Sequence, residues 1–172
     1  MNLPKQAVQQ GAAAGVIVAI LKMVAYVLGI ESLMSGWVGV GQFLLVVVGM
    51  TLACRATRNE EGDTFPFRRA FWVAFAAAAV ATFIALVMDI VLGTWIDPEL
   101  GAKMVRFTME KFESSGLLAI LPEEELEKTM ADAAWAMKPA GQAFSWSVGL
   151  LFWALVALVV GAITKRDDPA TF

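Results

Sequence analysis

Apolar residues in this chain come in long runs, and charged residues collect in the gaps between them. Four runs stand out, at about Ala7–Gly29, Gly36–Cys54, Ala70–Leu92 and Phe144–Ile163. Each is close to the ~20 residues that a helix needs to cross the hydrocarbon core of a bilayer. The pattern predicts an all-α fold: an integral membrane four-helix bundle, with residues 1–172 forming a single four-span membrane domain. The first run is longer than the ~7–15 apolar residues of a cleaved signal, and Lys22 interrupts it, so it is expected to stay as a span.

The gap between the third and fourth runs, residues 94–143, has a different pattern. Asp97-Pro98-Glu99 reads as a helix start, because proline suits the first helical position, where its missing N–H has no partner to lose. Met104, Phe107 and Phe112 then recur at near-helical spacing, opposite Lys103, Arg106, Glu110 and Glu113, and Ser114-Ser115-Gly116 ends the helix. After an apolar connector, Leu117–Leu121, a second helix opens at Pro122 with Glu123, Glu124, Glu125 and Glu127, whose charge complements the helix dipole. Leu126, Met130, Ala134 and Met137 make its apolar stripe, and Lys138-Pro139 closes it. Two amphipathic helices are therefore predicted between spans three and four. They cap the bundle, lie on the membrane surface, or present a face to a partner.

Composition supports a membrane class. The chain is 59% hydrophobic and 17% charged, against roughly 45–50% and ~25% in soluble domains. The net charge of −3 and the lack of a basic stripe argue against nucleic acid as a partner. There is no histidine, and Cys54 is the one cysteine, so an internal disulfide is excluded and the commonest general base is missing. The acidic cluster lacks the ligand alternation and tight glycine turn of a calcium loop. No nucleophile–base pair, phosphate loop or CxxC motif is present. No enzyme activity, cofactor or metal is expected.

Charge also predicts sidedness. Lys5, Arg55, Arg58, Arg68, Arg69, Lys165 and Arg166 all fall on one face of an even-span protein. The segment Thr94–Ala143 carries five basic and nine acidic residues. By the positive-inside rule both termini are cytoplasmic and residues 94–143 are extracytoplasmic. Trp37, Trp95 and Trp146 at predicted outer ends, and Trp72 at an inner end, suit the headgroup level. Trp153 is the exception, at mid-span.

Two ionisable residues fall within spans, Lys22 in the first and Asp89 in the third. Such residues are costly in lipid and mark pairing or function. On a helical wheel Lys22 shares a face with Gly11, Gly15 and Gly29, and Asp89 with Ala78, Thr82, Ala85 and Gly93. Small residues mark helix–helix contacts in membranes, so both charges are expected to face the bundle and to form an ion pair or meet at shared water. Gly11-Ala-Ala-Ala-Gly15 is a GxxxG motif, expected to pack within the chain rather than between chains.

The segment order and several local strings resemble a known family. The strings are Asp63-Thr-Phe-Pro-Phe-Arg-Arg-Ala-Phe71, Trp95-Ile-Asp-Pro-Glu99, Met109-Glu-Lys-Phe-Glu-Ser-Ser-Gly116 and Glu124-Glu-Leu-Glu-Lys-Thr-Met130. The chain resembles, over nearly its whole length, the bacterial membrane proteins grouped as domain of unknown function 4199. The resemblance implies a multi-pass protein of the bacterial inner (cytoplasmic) membrane and supplies no activity or catalytic residue. The expected role is a non-catalytic one, binding or scaffolding through the outer helical hairpin. Beside the lipid bilayer, the expected partner is another membrane or envelope protein or a homo-oligomer. The alternatives are a small oligomeric transporter or ion-conducting protein using Lys22 and Asp89, and a lipid-directed enzyme working near Asp97 or Glu99.

Overall fold

The computed structural model describes residues 4–62, 64–116 and 123–166, with the side chains of Glu123 and Leu126 excepted. Asp63, the connector Leu117–Leu121, Pro122 and the side chain of Leu126 thus lie outside the described residues. The helices are α1 (Lys5–Val27), α2 (Ile30–Leu33), α3 (Gly36–Glu61), α4 (Phe67–Val91), α5 (Leu100–Ser114), α6 (Glu123–Ala136) and α7 (Pro139–Thr164). A π turn, Leu92–Ile96, continues α4. Among the described residues four helices are long and apolar enough to cross a membrane: α1, α3, α4 with its π turn, and α7. The protein is an all-α membrane protein.

α4 is the centre of the bundle and packs on α1, α3 and α7. Its buried side is built from Ala70, Ala74, Ala77, Ala78, Ala81 and Ala85. Methyl-sized side chains let backbones come close, which is what holds helices together where no hydrophobic drive separates protein from lipid. α1 uses that closeness. A Cβ on Gly11 would stand 2.5 Å from the Ala77 carbonyl oxygen, and one on Gly15 would stand 2.8 Å from that of Ala81. The GxxxG motif is thus occupied inside the chain. Gly49 of α3 meets the Ala14 methyl, and Gly161 of α7 meets the Phe71 backbone, in the same manner. Val18, Val46, Met50 and Val73 fill the core between these contacts. Cys54 belongs to it too: its thiol is fully buried and donates to the Ala70 carbonyl at 3.4 Å.

The start of α1, the α3–α4 loop and the end of α7 gather at one end, the terminus face. Phe65 and Arg166 exchange backbone hydrogen bonds of 2.9 and 2.8 Å there. Arg69 pairs with Glu61, and Gln6 donates to Glu60. The insertion face, at the other end, carries α2, the π turn, α5 and α6. Trp95 is 82% exposed there.

Several boundaries differ from the sequence reading. Gly29 is not part of the glycine packing stripe. It leaves α1 at φ 111°, a left-handed position that favours glycine, and starts α2. α5 begins at Leu100, so Pro98 lies in the preceding turn. The reason is that α4 does not stop at Leu92: its π turn carries on until the Asp97 N–H donates to the Leu92 carbonyl at 2.8 Å. Proline takes the first helical position in α7, where Pro139 opens the fourth span five residues before Phe144.

Candidate functional site

The glycine contacts set a register between α1 and α4. The offset is 66 residues at Gly11–Ala77 and Gly15–Ala81, and 67 at Lys22–Asp89. The two helices run in the same direction, so the register holds over three turns. It brings Lys22 Nζ to 2.6 Å from Asp89 Oδ2. The side chains are 13% and 38% exposed, respectively.

The pair is not sealed inside the bundle. It stands in the wall of a chamber of about 1270 Å³ between α3, α4 and α7, roofed by α5 and α6. This exceeds the ~300–1,000 Å³ of sites for drug-sized molecules. α3 and α7 pack on each other less than each packs on α4. At the floor Phe43 stacks on Trp153 with ring centroids 5.8 Å apart. Trp153, the mid-span exception, therefore faces a neighbour. Trp146 Nε1 donates to Thr82 Oγ1 at 3.1 Å, and Thr82 donates to the Ala78 carbonyl. Above the floor, Gly39 of α3 and Gly149 of α7 line the chamber with nothing within 4 Å of an added Cβ.

The insertion supplies the roof. Met104 of α5, Met130 and Ala134 of α6, and Met137 in the turn after it line the chamber. Met130 is still 36% exposed, so the α6 stripe is only partly covered. Phe107 and Phe112, expected on the same face as Met104, are half-buried elsewhere, and Phe107 lies under the Lys111 ammonium at 5.4 Å. α5 instead presents Leu100, Gly101 and Val105 beside Met104. Leu100 and Met104, and Gly101 and Val105, are i, i+4 pairs, a signal that the bulkier phenylalanines obscured. Ala78 lies beneath the floor, whereas Thr82 and Ala85 are buried and contribute to the chamber wall.

Asp97 fastens roof to bundle. Its carboxylate accepts from Lys103 Nζ at 2.7 Å, from the Glu99 N–H at 3.2 Å and from the Tyr26 hydroxyl at 3.4 Å. One residue thereby links the end of α1, the exit of the π turn and the first turn of α5. The Lys103 ammonium holds the Asp97 carboxyl below the usual carboxylate range, and Asp97 in turn raises Lys103. A carboxyl depressed on folding contributes stability above its ordinary value and loses it as pH falls through the depressed one. The latch should therefore stay closed from pH 7 to 5 and open only in stronger acid. Asp97→Asn should open it at pH 7, seen as faster amide hydrogen exchange over residues 98–104; exchange unchanged in Asp97→Asn would refute the latch.

Among the described residues no group of three or more His, Cys, Asp or Glu side chains is placed to hold a metal ion. The family model described as "Protein of unknown function (DUF4199)" matches residues 9–166. No curated protein and no solved structure matches the chain.

Proposed function

Because the chain belongs to the DUF4199 family, which has no assigned function, its role must be read from its geometry, and we propose that it is a non-catalytic membrane protein that binds a ligand in the roofed chamber. The proposal includes a multi-pass arrangement in a bacterial cytoplasmic membrane, with both termini cytoplasmic and α5–α6 outside. The distribution of basic residues supports that orientation. The observation carrying the binding role is the chamber of about 1270 Å³ beneath the insertion helices. Large concave sites with a few convergent polar groups are where small molecules bind. Binding through the outer hairpin then means binding beneath it.

Transport is the second reading, favoured by the Lys22–Asp89 pair in the chamber wall. The packing below the pair weighs against it. At Gly15–Ala81 the α1 and α4 backbones are too close for a methyl group. Val18, Val46 and Met50 are fully buried across the same level.

Gly149→Trp tests the binding role, because Gly149 lines the chamber and a Cβ there meets nothing within 4 Å, so a bulky side chain is expected to occupy the chamber. Native mass spectrometry of the full chain, extracted in mild detergent, should show a bound non-protein mass on the wild type. Gly149→Trp should retain under about a tenth of it, a loss of some 1.4 kcal/mol or more of affinity, with helical content unchanged. Equal retention, or no bound mass on the wild type, would sink the proposal.

A further inference from the structure

We propose that the ligand of the chamber is one phosphate-headed, anionic membrane lipid, with its head at Arg106 and Lys138 and its chains running toward Trp153. This rests on the reading of the chamber as a binding site.

The first argument is polarity along the chamber. Its charged lining residues are Lys22, Arg106, Lys138 and Asp89, three cations and one carboxylate. Asp89 is already matched by Lys22. Arg106 and Lys138 form no ion pair among the described residues. Among the described residues, two cations with no ion-pair partner therefore line the roof, and guanidinium in particular suits a phosphate.

The second argument is shape. From Lys138 to Trp153 is about 15 residues along α7, or ~22 Å at the helical rise. Most of the remaining wall is apolar, with Val38, Leu86, Leu92 and Met104 among its residues, beside a few neutral polar side chains such as Gln42 and Thr82. A compact soluble anion would fill one end and leave the rest empty. An elongated molecule with one charged end fits the whole.

The third argument is access. Gly39 and Ser145 line the chamber and are exposed, and both sit in helices that cross the membrane. The proposed entry is therefore the side between α3 and α7, where these accessible residues lie. A lipid can enter there without leaving the membrane.

The test uses delipidated full chain in detergent, offered phosphatidylglycerol or phosphatidylcholine with identical acyl chains and read by native mass spectrometry. The wild type should retain the anionic lipid about tenfold better, the worth of one charge-assisted contact. Arg106→Ala with Lys138→Ala should abolish the preference, while Arg68→Ala on the terminus face should preserve it. Inorganic phosphate at the same concentration should not displace the lipid. Equal retention of both lipids by the wild type, a preference surviving in the double variant, or displacement by phosphate alone would each overturn the inference. If Gly149→Trp excludes both lipids while the wild type holds them equally, the chamber reading stands and only the headgroup assignment falls. If Gly149→Trp retains lipid as the wild type does, the chamber reading falls as well.

Discussion

Gly15→Leu should leave little folded protein. Even a methyl at this position would sit 2.8 Å from the Ala81 carbonyl oxygen and 2.9 Å from Ile84 Cβ. The oxygen belongs to backbone in the middle of α4, so it cannot swing aside, and α1 has to move as a body. Overpacking in a close-packed interior costs about 1–3 kcal/mol where side chains can adjust. Here they cannot, and the expected cost is ~3 kcal/mol or more. Fluorescence-detected gel filtration and thermal unfolding of detergent-solubilised protein should report it. Gly149→Ala is the matched control, because its methyl would meet nothing within 4 Å, and it should behave as the wild type. A stable, monodisperse Gly15→Leu protein would show that α1 and α4 are not held at this register.

The second large effect is expected at Lys22 and Asp89. Removing one partner of a buried ion pair strands the other and costs about 3–5 kcal/mol. Asp89 is 38% exposed to the chamber, so ~2–3 kcal/mol is the better figure here. The two single changes should differ. Lys22 is the more enclosed, at 13%, so Asp89→Leu, which strands the lysine, should cost more than Lys22→Leu. A stranded carboxyl can also neutralise itself by taking up a proton. The double change to leucine should recover most of the loss, since a well-packed apolar pair is often as stable as a buried ionic one. Unfolding midpoints of all three variants decide the matter: a harmless single change, or a double change no better than the worse single, would remove the structural role.

The two charges were legible in the sequence because a charge within an apolar run has few explanations. So was the face that each occupies, because small residues recur beside them at helical spacing. Their pairing with each other was legible for the same reason, and it is present; the register that delivers it was not, since only the Gly11–Ala77 and Gly15–Ala81 contacts set that offset. The chamber was hidden for a related reason. Gly39 and Gly149 look in sequence like Gly11 and Gly15, yet one pair faces open space and the other a carbonyl. A glycine in a span says that a neighbour is close or that nothing is there, and composition does not separate the two. The π turn had no local signal either, because no proline interrupts Leu92–Ile96. That turn carried Asp97 into the latch and displaced the start of α5.

The central place of α4 has a consequence in time as well as in space. Lys22 and its carboxylate partner are 67 residues apart, and α4 follows both α1 and α3 in the order of synthesis. Until α4 has emerged, the lysine of α1 has no counter-charge and its glycine stripe has no alanines to lie on. The first span therefore reaches its final seat only once the third has been made, and assembly of this bundle waits on its middle.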